Sequence, residues 1–183
     1  MPRAFTRLAF SPAVKAAQAR YSAREHGALL EQKDPPRDRL NDDLIAFIED
    51  MDSFFIGTAS HDGWPHVQHR GGPPGFLKVL DDRTLAFADY AGNRHYITVG
   101  NLSENDRVML FLIDYERGRR LKIWGRAQVI DEATGLVDRV RDPAEQSDGL
   151  VPSLLCPSWV DCIIATRGYD FRKGQVHTTR SVV

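Results

Sequence analysis

Apolar residues recur at helical spacing up to about Met51 and alternate with polar ones after Ser53. Ser11 followed by Pro12 is a helix start, with a capping hydroxyl and a ring already set for the first turn. The run from there to about Gln32 is rich in Ala, Gln, Arg, Glu and Leu, which predicts one helix ending before Pro35 and Pro36. Asn41 caps a second, shorter helix whose Leu44, Ile45, Phe47, Ile48 and Met51 form an apolar face.

Beyond Ser53 the period of two predicts strands. Phe54, Phe55, Ile56 and Thr58 make the first, His61-Asp62-Gly63 turns it, and Pro65 to Arg70 returns as the second. Gly71-Gly72-Pro73-Pro74-Gly75 then interrupts, since no strand interior tolerates such a run. Phe76 to Leu80 and Thr84 to Asp89 form a hairpin around Asp81-Asp82-Arg83. Val108 to Ile113 and Leu121 to Ile130 form another around Glu116 to Arg119, and Trp159 to Thr166 reads as a last strand. One short helix is expected after Asn93 and another from Glu132 to Val140. Many short antiparallel strands with marginal helices predict an α+β fold built on a small closed or split β-barrel. Residues 1–50 are expected to form a helical extension and residues 51–183 the barrel domain.

Composition narrows the function classes. With 183 residues, 42% hydrophobic and 27% charged, the chain has the make-up of one soluble globular domain. A chain this long buries roughly 70% of its unfolded surface, so it needs no disulfide or metal staple. The formal net charge of -1 argues against nucleic acid or an acidic membrane as partner. Cys156 and Cys162 are too few for a disulfide scaffold and lack zinc-site spacing. No run approaches the roughly 18 apolar residues of a membrane span. Nor do the first ten residues hold a signal-peptide core, so the cytoplasm is the expected compartment.

Three segments could carry chemistry. Gly92-Asn93-Arg94-His95 leaves a strand and enters a helix, where free N–H groups and the helix dipole favour an anion and Arg94 adds a charged fork. An ordinary capped helix with a surface arginine would read the same. Gln68-His69-Arg70 precedes Gly71 and Gly72, which would let a flat ligand approach the backbone; a β-bulge with Arg70 in a surface ion pair is the alternative. The basic run Arg117, Arg119, Arg120, Lys122 and Arg126 also suits a solvated hairpin face. Alternation sets Arg120, Lys122 and Trp124 opposite Leu121 and Ile123. His66 and His69, three apart in a strand, point to opposite faces and make no metal site. The chain has no Walker loop, Rossmann fingerprint or nucleophile elbow.

Together these pieces resemble the pyridoxamine 5'-phosphate oxidase-like FMN-binding split-barrel family, most clearly from Phe54 to Ile130. The family's Phe-Tyr-Thr-Asn tetrad and the Leu-Gly-Ser-Arg-Lys after it are similar in order and spacing to Phe87-Ala88-Asp89-Tyr90 and Ala91-Gly92-Asn93-Arg94-His95. Its Arg-Gln-Val-Arg-x-x-Gly strand resembles Arg119-Arg120-Leu121-Lys122-Ile123-Trp124-Gly125, and Lys78 falls where the family carries a lysine. The stretch from Gln68 to Phe76 looks like that of a bacterial, oxidase-related, FMN-binding subgroup.

The resemblance implies a homodimer with two FMN sites at the interface, acting as an oxidoreductase on a small molecule. It places the FMN phosphate on Arg94, Asn93 and one of Arg70, Lys78 or His95. Ala88, Asp89 and Tyr90 would lie near the ribityl chain or ring, beside the Gln68, His69, Gly71 and Gly72 segment. Arg120, in place of the family's glutamine, would face the flavin ring from across the dimer. No catalytic residue is assigned; His69, Tyr90 and His177 are candidates for proton delivery. Two departures argue against pyridoxamine phosphate as substrate: Asp138-Arg139-Val140-Arg141 lacks the family's tyrosine, and the C-terminal Arg-x-His-Asp motif is missing from Gln175 to Arg180. A deazaflavin-dependent reductase, a haem-binding or haem-degrading relative using His177, and a non-enzymatic flavin carrier or sensor are the competing readings.

Overall fold

A computed structural model of the chain describes residues 5–33, 39–90, 94–129, 150–155, 161–164, 169–170 and 175–176. The first predicted helix is two. α2 (Pro12–Arg20) begins where expected, with Ser11 accepting a bond from the Val14 N–H at 3.3 Å, but the chain turns at Tyr21 and Ser22 before α3 (Arg24–Lys33). Ser22 takes a left-handed φ of 58°, which no glycine or proline announces. α3 folds back onto α2: the space a side chain would fill at Gly27 is occupied by Gln18 and Arg24, and Glu31 takes Lys15 and Arg24 as partners. A short α1 (Phe5–Ala9), not foreseen from the sequence, sets Phe5 against Trp124 with ring centroids 5.3 Å apart. α4 (Asp42–Glu49) starts as read, with the Asn41 carboxamide oxygen accepting from the Leu44 N–H at 3.0 Å.

The strands are β1 (Ser53–Ala59), β2 (Pro65–Gly71), β3 (Lys78–Asp81), β4 (Thr84–Tyr90), β5 (Arg107–Asp114), β6 (Arg119–Val129), β7 (Leu150–Leu155) and β8 (Asp161–Ile164). α5 (Ile97–Glu104) lies between β4 and β5. Two-residue strands β9 (Tyr169–Asp170) and β10 (Gln175–Val176) pair with each other. All the pairings are antiparallel, in the order β2-β1-β5-β6-β7-β4-β3 with β8 beside β6. β6 joins two halves: Arg119 to Arg126 pairs with β5, and Ala127 to Val129 continues onto β7. Among the described residues no ladder joins β2 to β3, so the path is open.

β7 escaped the sequence reading because Pro152 interrupts it, and proline cannot donate to a ladder. The last predicted strand is shorter than read, Asp161–Ile164 instead of Trp159 to Thr166. The helix expected from Glu132 to Val140 lies outside the described residues.

The inner faces of both halves meet in one core. Phe54, Ile56, Leu110, Leu112, Leu121 and Ile123 supply one side, and Leu85, Phe87 and Ala127 the other. α4 closes one end with Leu44, Phe47 and Ile48. Phe54 stands at the centre, stacked on Phe76 at 5.5 Å and edge-on to Phe87 at 5.2 Å. Phe76 reaches it because Gly72 has no side chain: a Cβ there would sit 2.7 Å from the Phe76 ring. Phe54→Ala should therefore cost about 3–5 kcal/mol. It should show as a lower urea midpoint at unchanged slope, and a loss below about 1 kcal/mol would place the core elsewhere.

Candidate functional site

Polar residues enter the interior along one strand. β1 and β2 pair Phe54 with Arg70, Ile56 with Gln68 and Thr58 with His66, so these six side chains share the inner face. His69 stands on the outer face, edge-on to Phe55 with ring centroids 5.5 Å apart. His66 and His69 therefore do point to opposite faces.

The inward polar groups are mostly matched. Arg70 Nη2 donates to Asp89 Oδ2 at 3.0 Å, and Nε lies 2.9 Å from Oδ1 without hydrogen-bond alignment. Only 13% of the Arg70 side chain and 8% of the Asp89 side chain meet solvent, so this is a buried pair and not a surface one. Thr98 Oγ1 donates to Gln68 Oε1 at 2.9 Å, and Asn101 Nδ2 donates to Thr58 Oγ1 at 2.9 Å. Thr98 and Asn101, three apart, turn one face of α5 toward β1 and β2. They were not singled out from the sequence, although a polar pair at that spacing beside Leu102 was the available signal. His66 Nε2 is buried with no partner among the described residues.

Between β4 and α5 the backbone is unusual. Arg94 and Tyr96 have φ of 60° and 51°, the left-handed region, which costs a non-glycine residue roughly 1–2 kcal/mol. The helix opens at Ile97 with Tyr96 as its N-cap, and the Tyr96 side chain makes no capping bond. Asn93, after which the helix was expected, lies outside the described residues and four positions before it. Arg94, His95, Tyr96 and Ile97 are all exposed.

The predicted site residues fall into separate groups. Arg70, Gln68 and Asp89 face inward together, while Lys78 pairs with Ala86 on the opposite face of β4, the side to which Ala88 also belongs. Arg94, Lys78 and Arg120 have no ion-pair partner among the described residues, whereas Arg70 is committed to Asp89. Gly71 and Gly72 offer little room to a ligand, because His69 lies 3.1 Å from a Cβ at Gly71 and Phe76 fills the space at Gly72. The basic run is divided: Arg117 pairs with Asp50 and Asp114, Arg126 with Asp106, and Arg119 lies 4.9 Å over the Phe47 ring. Arg120 and Lys122 share the outer face of β6, opposite Ile113 and Phe111. His177 lies outside the described residues, and Tyr90 is described only as part of β4.

A family model described as pyridoxamine 5'-phosphate oxidase matches residues 40–149, more than half of the chain. The chain belongs to the pyridoxamine 5'-phosphate oxidase family. Among solved structures it is similar to the HupZ protein of Group A Streptococcus, with 15% identity and a TM-score of 0.55 over 70% of this chain and 96% of that one. It is also similar to a Clostridium acetobutylicum protein related to general stress protein 26 of B. subtilis, of the pyridoxinephosphate oxidase family. There the identity is 10% and the TM-score 0.51, over 74% of this chain and 100% of that one. At these identities the likeness is one of fold. No curated protein matches the chain in sequence.

One departure inside the matched region has an electrostatic consequence. Asp89 stands where the family's tetrad carries a threonine, and burial pushes its carboxyl above the ordinary carboxylate range, with the Arg70 charge and hydrogen bond working against that rise. A carboxyl raised in the folded state keeps a proton that the unfolded chain releases, so its contribution to stability is lost as pH rises through the folded value. Removing Arg70 takes away both opposing influences. Arg70→Met should therefore lose about 3–5 kcal/mol at neutral pH. The loss should shrink toward about pH 5. Urea unfolding of both proteins across that range checks it; a pH-independent difference would mean Asp89 stays ionised without its arginine.

Proposed function

We propose that this family member is a homodimeric FMN-binding flavoprotein, an oxidoreductase acting on a small molecule other than pyridoxamine phosphate. The observation that carries the reading is the β4–α5 turn: Arg94 and Tyr96 hold left-handed backbone at the entry to an α-helix whose N-cap, Tyr96, makes no side-chain capping bond. Such a turn suits a phosphate, because backbone N–H groups, the positive helix end and a guanidinium fork converge on one anion. The donor set thus fits the phosphate of FMN. Once bound, the flavin ring supplies the redox chemistry. Arg94 and the turn would orient it by its phosphate, while Asp89 and Arg70 keep their charges matched below the site.

The open strand path is read as a split barrel over residues 51–183, with residues 1–50 as a helical extension. Phe55, Met109, Phe111 and Ile113 sit half-buried on the outer face, an apolar surface that suits a second copy of the chain. Among the described residues no helix is long and apolar enough to cross a membrane. Without the tyrosine and the Arg-x-His-Asp motif, the phosphate of pyridoxamine phosphate would lack partners, which argues for another substrate.

Arg94→Ala should weaken FMN by about 30- to several-thousand-fold, the loss of a charge-assisted pair worth about 2–5 kcal/mol. Riboflavin, which has no phosphate, should bind nearly as before, and Arg94→Lys should fall between. Fluorescence quenching on titrating ligand-free protein reads both. Equal losses for the two flavins would assign Arg94 to the fold instead. For the dimer, sedimentation should give twice the 20.6 kDa chain mass. The interface should bury more than about 2,000 Å², and a monomer at micromolar concentration would contradict it.

A further inference from the structure

One strand holds both ends of the β4–α5 turn. Asp89, the penultimate residue of β4, is bound by Arg70, and Thr98, in the first turn of α5, is bound by Gln68. Gln68 and Arg70 are two apart on the inner face of β2, so their stems stand about 7 Å from each other. Asp89 and Thr98 are thus anchored to neighbouring inward positions of one strand. Its middle holds Arg94 and Tyr96, neither a glycine, in left-handed backbone. Residues of this kind persist only where the surroundings over-determine them. The turn's own helix cap contributes no side-chain bond.

We propose that Gln68 and Arg70 are positioning residues, clamping the turn through Thr98 and Asp89 and so holding Arg94 and Tyr96 in the backbone on which anion binding depends. This rests on the reading of the turn as a phosphate site, and it assigns Gln68 and Arg70 to the support of that site instead of to contact with the ligand. Both side chains are already held: Gln68 Oε1 accepts from Thr98, and Arg70 Nη2 donates to Asp89 within a buried ion pair. A buried charge pair tolerates little displacement, because moving either partner leaves the other unmatched.

The test uses the full chain in three variants. Thr98→Val removes the hydroxyl at constant shape, Arg70→Met removes the fork, and Arg70→Met/Asp89→Leu removes both buried charges. Amide hydrogen exchange of the ligand-free protein should speed up in all three at Gly100, whose N–H donates to the Tyr96 carbonyl at 2.8 Å, while the β5 amides of Thr98→Val keep their protection. FMN affinity should fall about tenfold in Thr98→Val, with riboflavin affinity nearly unchanged. The double variant should regain stability relative to Arg70→Met, since no unpaired charge is left, yet still bind FMN weakly. Unchanged exchange at Gly100 would overturn the clamp, as would equal losses for the two flavins or restored FMN binding in the double variant. Exchange in the ligand-free protein is independent of the phosphate assignment, which Arg94→Ala tests separately.

Discussion

An antiparallel sheet whose path does not close must be held across its opening by side chains. Here β2 and β4 share no ladder among the described residues, and Arg70 with Asp89 is the polar contact that spans them. Phe54 of β1 against Phe87 of β4 makes a neighbouring crossing in apolar form. Each contact depends on the register of β1 and β2, which puts Phe54 and Arg70 side by side on the inner face. A slip of β2 by one residue would turn Arg70 outward and leave Asp89 buried without its arginine. The end of β4, and with it the entry to α5, takes its position from that crossing.

Much of this was legible in the chain because it is local. The Asn41 cap, the alternation in β1 and β6, and the hairpin turns each depend on neighbours within a few residues, and each forms as read. The break at Ser22 was hidden because only the packing of α3 on α2 requires it. β7 was hidden because Pro152 disqualifies a strand on local grounds, while pairing with both β4 and β6 imposes one. The site shows the same division. Arg94 at a strand-to-helix junction could be picked out from spacing. That Arg70 spends its charge on Asp89, 19 residues away, and that Gly72 exists for Phe76, are tertiary facts with no local signature.

Family membership and the β4–α5 turn bear on different questions. The first fixes the strand framework on which an anion site can be built. The second concerns what this chain does with it: an aspartate at the tetrad's third position, an arginine in place of the glutamine on β6, and no tyrosine in the segment Asp138 to Arg141. Each change alters charge or hydrogen-bonding capacity relative to the family's pattern. One fold supports many reactions through changes of this kind at its sites.

The most direct measurement of the central claim is the absorption spectrum and mass of the small molecule that copurifies with the protein. A flavin spectrum with the mass of FMN is the expected result, and the band should be regained when FMN is added to stripped protein. A haem spectrum, a deazaflavin mass, or stripped protein that takes up no FMN would contradict it.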